Sequence, residues 1–186
     1  NAGASLVLRR VTLTGGTSGA VASGGAFLVL NGVRVAGVSG IGVDAEGADT
    51  EVTVDGLAVT GVVARRDTSG AYVDGDALVS RGGARLRARR VFAEGNQEAG
   101  VYVEGASATL SDSVVRGTEA RPDAQFGQGL FVAAGGSLIA QRVVLGGQQQ
   151  AREGVRHGRA HAHCPAVSRP EAASSSTATC TTHSAA

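Results

Sequence analysis

Residues Leu30 to Gly37 read LNGVRVAG: an apolar residue, two turn-type residues, an alternating strand and a closing glycine. The same eight-residue template occurs six times. Its copies begin at Leu8, Leu30, Val54, Ala88, Leu110 and Ala140. The closing glycines are 22, 24, 34, 22 and 30 residues apart. A period near 22 with insertions is typical of stacked structural repeats rather than of a single globular core.

Two further short strands accompany each copy of the template. One precedes it, and the other follows the closing glycine after a variable gap and reads glycine, apolar, any residue, valine. We assign this second element to GAVA at Gly19, GIGV at Gly40, GAYV at Gly70, GVYV at Gly100 and GLFV at Gly129. Three strands of period 2 per repeat predict one rung of a coil, in which each strand pairs in parallel with its equivalents in neighbouring rungs.

The alternation also predicts which side chains fill the interior of the coil. The expected inward residues are Leu6, Leu8, Val11, Leu13, Leu28, Leu30, Val33, Val35, Ile41, Val43, Val52, Val54, Leu57, Val59, Val73, Leu86, Val91, Val101, Val103, Leu110, Val115, Leu130, Val132, Leu138, Val143 and Leu145.

Composition agrees with β structure and narrows the function classes. The 186 residues include 29 glycines and only 3% aromatics, and few stretches are long enough for a glycine-free helix. Residues 1–150 carry 13 Arg against 14 acidic residues, so a near-neutral body argues against a nucleic-acid partner. No apolar run approaches membrane-spanning length and no signal peptide is present. Because Asn1 begins inside a repeat, we expect the chain to be excised from something larger.

The repeat rhythm fails near residue 150. Residues 151–186 are predicted to form a low-complexity, disordered tail or a frameshifted reading of further repeats, with a degenerate seventh rung at 151–158 as the remaining trace. This tail contains the pattern H-x3-H-x-H-C, from His157 to Cys164. The spacing fits no standard zinc module, so we expect neither a metal site nor a cofactor.

The G-x-x-x-G-h-x-h rhythm and the 22-residue period over residues 3–155 resemble the right-handed parallel β-helix repeat family. This pectate-lyase-like scaffold also carries polygalacturonases, alginate epimerases, tailspikes and surface adhesins. The resemblance implies an all-β, right-handed, single-stranded parallel β-helix (a solenoid) of about six rungs over residues 1–150, with a poorly structured C-terminal tail. It also implies a secreted or cell-surface protein whose partner is a polysaccharide or other glycan, but it leaves the activity open.

Aromatic residues recur at the outward position of the second element. In successive repeats this position holds Gly42, Tyr72, Tyr102 and Phe131. At a strand spacing of about 4.8 Å the last three are predicted to form an exposed ladder suited to the apolar faces of sugar rings. The alternative is a ladder that only stabilises the stack.

Two long insertions, residues 62–69 and 118–128, are expected to lie beside this ladder. Variable loops on a rigid scaffold are the usual place for binding residues, and arginine pairs bidentately with a uronate. The proposed glycan site therefore comprises Tyr72, Tyr102, Phe131, Arg65, Arg66, Asp67, Glu98, Arg121 and Asp123. Ordinary solvated loops are the alternative interpretation.

A complete catalytic site is not expected. Asp74 and Asp76 form a D-G-D pair predicted to lie on one side of an extended strand, but the Asp-Asp, G-H-G and D-P-H-E motifs of related enzymes are absent and residues 1–150 lack histidine. We therefore expect a non-catalytic, glycan-binding or adhesive segment. A fragment of a polysaccharide lyase, epimerase or glycoside hydrolase is one alternative, and a structural spacer is another.

The arginine-rich run from Arg85 to Arg90 has two interpretations. It could be a nucleic-acid patch, but the repeat alignment places Glu51 beside Arg85 and Asp55 beside Arg89. It also places Asp112 in one column with Arg90 and Arg142. We therefore predict ion pairs between repeats.

Overall fold

A computed structural model describes residues 3–149, and all of their regular structure is β. No helix occurs in this range. The strands are β1 (Ser5–Arg9), β2 (Thr12–Thr14), β3 (Ser18–Ser23), β4 (Phe27–Ala36), β5 (Ile41–Glu46), β6 (Glu51–Thr60), β7 (Arg65–Arg66), β8 (Tyr72–Val73), β9 (Asp76–Arg81), β10 (Arg85–Glu94), β11 (Ala99–Glu104), β12 (Ser107–Arg116), β13 (Gln128–Ala133) and β14 (Ser137–Gly146).

Twelve of these strands form two parallel sheets. The long-strand sheet has the order β1-β4-β6-β10-β12-β14, with β2 also pairing with β4. The short-strand sheet has the order β3-β5-β9-β11-β13. The chain passes alternately from one sheet to the other, so neighbouring strands in either sheet belong to successive repeats. This arrangement is compatible with a parallel β-helix.

The six copies of the template lie side by side in the long-strand sheet. Their first residues are joined in register, Leu8 with Leu30, then with Val54, Ala88, Leu110 and Ala140. The insertions of the sequence therefore do not disturb the pairing of the long strands.

The second of the two turn-type residues bends each long strand. The residues at this position are Arg10, Gly32, Gly56, Arg90, Asp112 and Arg142, with φ between 51° and 75°. Such a left-handed residue interrupts the alternation, so that Leu30 and Val33, three positions apart, are both buried. The template thus encodes two strand segments separated by one bend.

Most residues expected inside the molecule form its core. Leu30, Val54 and Leu110 are among the fully buried side chains between the two sheets. Two expectations fail at the ends, because Leu6 and Leu145 lie in edge strands and are exposed. The prediction that Val73 faces the interior is also wrong, because Val73 belongs to the two-residue strand β8 outside both sheets.

The register of the short-strand sheet corrects our assignment of the second element. Val43 and Val101 both pair with Leu78, so the GIGV assignment is displaced by two residues. In the third repeat the element is ALVS, beginning at Ala77, and GAYV lies in the separate antiparallel pair β7–β8. The equivalent first residues are Gly19, Gly42, Ala77, Gly100 and Gly129.

Close packing between the two sheets explains the glycines at this position. A Cβ on Gly100 would lie 2.2 Å from Cγ1 of Val115, and a Cβ on Gly42 would lie 2.7 Å from Cγ1 of Val59. Where Ala77 replaces glycine, the long-strand position equivalent to these valines is Ala93. The smaller partner leaves room for the methyl group, which is why the sequence pattern lost its glycine in this repeat.

The expected tail, including the pattern from His157 to Cys164, lies outside the described residues, as does the seventh rung at 151–158.

Candidate functional site

The middle, outward-facing positions of the short-strand sheet form a column of five residues. In order along the chain they are Val21, Asp44, Val79, Tyr102 and Phe131. Asp44, Val79 and Phe131 are buried although they point away from the core between the sheets. Phe126, from the insertion between β12 and β13, packs edge-on against Phe131 with ring centroids 6.0 Å apart. The second insertion therefore covers the Phe131 end of this column, whereas Val21 at the other end is exposed.

The predicted exposed ladder of three aromatic residues is wrong. Val79 occupies the position assigned to Tyr72, because the third repeat carries a longer insertion than the sequence pattern indicated. Tyr102 and Phe131 do stack, with centroids 5.3 Å apart and planes 8° from parallel. Phe131 is only 7% exposed, which leaves the half-buried Tyr102 as the aromatic residue of this column available to a ligand.

The first insertion, residues 62–75, folds into a small hairpin from β7 and β8. Asp67 closes its turn by accepting hydrogen bonds from the hydroxyl of Ser69 (2.6 Å) and from two backbone amides, and these bonds lower the pKa of its carboxyl. Arg66 donates to the Tyr72 hydroxyl (3.0 Å) and lies over the same ring. Arg66, Asp67 and Tyr72 therefore stabilise the hairpin itself.

The second insertion is organised around Arg121. Its guanidinium donates to Glu98 (3.1 Å) and to Asp123 (3.0 Å), and it lies 4.5 Å from the ring centre of Phe126. Gln125 accepts a third hydrogen bond from it (3.2 Å). The side chains of Arg121 and Glu98 are 10% and 12% exposed, so this ion pair is largely removed from water.

Glu98 occupies a position that is otherwise glycine. The residue immediately before each of the four later short strands is Gly40, Gly75, Glu98 or Gly127, with φ of 134°, 117°, 93° and 87°. The backbone bonds are also equivalent: the Glu98 carbonyl accepts from two amides of the next repeat, as the Gly40 carbonyl does. A side chain in this conformation costs on the order of 1–3 kcal/mol. The backbone pairing at this position does not require the Glu98 side chain, which instead pairs with Arg121.

A second carboxyl lies next to Glu98 in the structure. Asp76, the first residue of β9, is 3% exposed, and its Oδ1 has no hydrogen-bond partner. Burial and the neighbouring charges of Glu98 and Asp74 raise the pKa of Asp76 well above its usual value. Burial likewise raises the pKa of Glu98 to about 7, although Arg121 acts in the opposite direction. Glu98 and Asp76 are therefore two largely buried carboxyls whose pKa values are raised mainly by the loss of surrounding water.

The prediction that Asp74 and Asp76 share one side of an extended strand is wrong, because Asp74 and Gly75 both have left-handed backbone conformations. Asp74 nevertheless lies close enough for its charge to act on both Asp76 and Glu98. Asp74 pairs with Arg65 at 2.9 Å in a partly exposed position.

Of the proposed site residues, Tyr102, Phe131, Glu98, Arg121 and Asp123 are brought together. Arg65 lies near them through Asp74, whose charge also acts on Glu98. Arg66, Asp67 and Tyr72 belong to the hairpin.

Sequence reasoning missed two features of this face. Asp44 is buried and paired with Arg81 at 2.6 Å, and burial raises its pKa. Only the corrected register places Asp44 in the column of Tyr102 and Phe131. The second missed feature is Phe126. It could have been found in the sequence as an aromatic residue within the longer of the two predicted insertions.

Within residues 3–149, no three His, Cys, Asp or Glu side chains are arranged to hold a metal ion. The described part of the chain also contains no helix with the length and apolarity needed to cross a membrane.

Comparisons with protein-family models, with curated proteins and with solved structures gave no match.

Proposed function

We propose that this chain is a right-handed parallel β-helix of about six rungs that binds glycan as a non-catalytic segment of a secreted or cell-surface protein. Parallel sheets with repeats in register support the architecture, and crossover connections between parallel strands are right-handed in nearly all known cases. The glycan site lies on the covered face of the short-strand sheet, around Glu98 and Tyr102.

The single observation that carries this proposal is Glu98 at a glycine position. A strained residue at a position where glycine serves the strand pairing is a reason to expect function at that residue. Beside it, the half-buried Tyr102 presents part of an aromatic ring, which suits the apolar face of a sugar, and the 12% of the Glu98 side chain that is exposed offers an acceptor for a hydroxyl group.

The charges of this face favour a neutral or amino-bearing glycan over a uronate. Arg65, Arg66 and Arg121 each already pair with a carboxylate or another acceptor of the same insertion. Bidentate binding of a uronate by any of them would break an existing contact, and the neighbouring carboxylates would repel its charge.

Binding to a panel of neutral, amino-bearing and acidic glycans tests this proposal. Tyr102→Ser is expected to weaken binding at least tenfold. The matched control is Phe27→Ser, which removes an exposed aromatic residue from the opposite sheet and should leave binding within twofold. Equal effects of the two variants, or no binding to any glycan, would contradict the proposal, and the second result would favour a structural spacer.

A second candidate function, cleavage of a glycosidic bond, is favoured by the pKa of Glu98. A carboxyl with a pKa of about 7 suits a general acid, and Asp76 provides a second carboxyl in the same place. This candidate predicts release of oligosaccharides from a bound polymer and its loss in Glu98→Gln with binding retained. Binding without product formation would leave the first proposal.

A further inference from the structure

Charge is segregated between the two sheets of the molecule. Within residues 3–149, the strands and bends of the long-strand sheet carry nine arginines and four acidic residues, a net charge of +5. The arginines are Arg9, Arg10, Arg34, Arg85, Arg87, Arg89, Arg90, Arg116 and Arg142, and the acidic residues are Glu51, Asp55, Glu94 and Asp112. The rest of this range carries four arginines and ten acidic residues, a net charge of −6. These two net charges of opposite sign nearly cancel, so the net charge of the whole sequence does not indicate either of them.

Ion pairs neutralise only part of this surface, which we call the arginine face. Arg87 pairs with Glu51, Arg116 with Glu94, and Arg142 with Asp112. Glu51 was expected beside Arg85 and pairs with Arg87 instead, and the pair of Arg116 with Glu94 was not predicted. Asp55 is shared by Arg89 and Arg90.

Four further side chains of the face, those of Arg9, Arg10, Arg34 and Arg85, are exposed and make no ion pair to any described residue. The face therefore keeps a surplus of positive charge after its internal pairing.

The arginine face is also regular and uncovered. The insertions lie on the other side, before β9 and β13, while β4, β6, β10, β12 and β14 are each ten residues long. Parallel strands about 4.8 Å apart, with outward residues about 6.7 Å apart along each strand, present guanidinium groups at repeating intervals. Such a lattice suits a long ligand that carries charges at regular intervals.

We infer that the arginine face binds an anionic polysaccharide, a chain bearing carboxylate or sulfate groups. Planar guanidinium groups match these anions bidentately. A single-stranded nucleic acid is disfavoured, because the only aromatic residues of the face are Phe27 and Phe92, and Arg116 lies 5.0 Å above the Phe92 ring. The flat sheet also presents no helix or ribbon that enters a duplex groove. This inference is independent of the glycan site at Glu98.

Affinity for polygalacturonate and for dextran sulfate, with uncharged dextran as the reference, tests this inference. The double variant Arg9→Gln, Arg34→Gln removes two unpaired arginines and leaves every observed ion pair intact. We expect affinity for the anionic polymers to fall at least tenfold at low salt, and the slope of log Kd against log salt concentration to fall by about 2. Circular dichroism verifies that the variant is folded.

The matched control is Arg65→Gln, Arg66→Gln, which makes the same change in net charge on the opposite side. It should alter affinity less than twofold. Equal losses in both doubles would overturn the inference, because they would show a response to net charge alone. Equal binding of uncharged dextran, or no binding of either anionic polymer, would also overturn it. Tighter binding of a single-stranded DNA of matched charge would reassign the face to nucleic acid.

Discussion

The two sheets differ in the lengths of the connections that lead into their strands. Connections from a short strand to the next long strand remain two to four residues long throughout, whereas those in the other direction range from three residues before β3 to 15 before β9. One sheet is consequently regular and charged on its surface, and the other acquires covering loops, buried carboxyls and a strained glutamate. A stacked repeat can therefore hold its register on one side while it builds a site on the other.

The largest effect on this comparison is expected from Gly100→Ala. Its Cβ would lie 2.2 Å from Val115 and 2.6 Å from the Gly129 carbonyl oxygen, where the two sheets meet. We expect a loss of more than about 4 kcal/mol in the free energy of unfolding, measured by urea denaturation.

Gly146→Ala is the matched control, because its Cβ would meet no atom within 4 Å and its backbone is not left-handed. It should change stability by less than about 1 kcal/mol. Adding Val115→Ala to Gly100→Ala recreates the native pair Ala77 and Ala93 and should recover part of the loss. An unchanged stability of Gly100→Ala would refute the described contact between the sheets.

The pH dependence of unfolding sharpens the contrast between buried and exposed carboxyls. Because the pKa of Glu98 rises from 4.5 to about 7 on folding, the folded state binds more protons in this range. Stability should therefore be highest at the acidic end and fall as pH rises from about 4.5 to 7, by on the order of 3 kcal/mol. Asp44 and Asp76 shift in the same direction.

Glu98→Gln should flatten this profile, and Glu119→Gln, which alters an exposed side chain of the next repeat, should not. Asp55, Asp67 and Asp112 have lowered pKa values, so their protonation reduces stability only below about pH 3.8. That range lies outside the interval from pH 4.5 to 7. A wild-type profile that rises between pH 4.5 and 7 would show that Glu98 is not a buried acid.

A smaller effect is expected from the anchor of the second insertion. Arg121→Met removes the cation between Glu98 and Asp123 and should cost about 2 kcal/mol at pH 8, with faster proteolysis within residues 118–127. Arg116→Met, in an exposed pair on the other sheet, should cost less than about 1 kcal/mol. Equal proteolysis of both variants would mean that Arg121 does not hold the insertion.

The smallest effect on stability is expected from Asp55→Asn on the arginine face. Removing this carboxylate releases Arg89 and Arg90 from their shared partner. Thermal unfolding should change little, while affinity for dextran sulfate should rise about threefold or more. A decreased affinity would show that the ion pairs organise the binding surface.

The sequence was sufficient for the long strands and insufficient for the covered face. The template from Leu30 to Gly37 repeats its bend and its apolar positions in every copy, because each copy must fill the same interior. The short strands lack this redundancy. In the third repeat Ala77 replaces glycine through a compensating change at Ala93, which no single repeat reveals.

Correct identification of the candidate site residues also required the register of the short-strand sheet. Glu98 and Arg121 were identified because they lie beside insertions, but the displaced register placed Tyr72 in the aromatic column and hid Asp44 there. That Glu98 stands where other repeats have glycine becomes visible only when its backbone is aligned with Gly40 and Gly75. The left-handed conformation at that position is a property of the fold and cannot be read from the sequence.

Glu98→Gly tests most directly the central claim, that Glu98 serves a ligand and not the fold. We predict that the free energy of unfolding at pH 8 changes by less than about 1 kcal/mol, because relief of backbone strain and of carboxylate burial offsets the lost ion pair with Arg121, while glycan binding falls at least tenfold. A variant that is less stable and binds glycan as tightly as the wild type would contradict the claim.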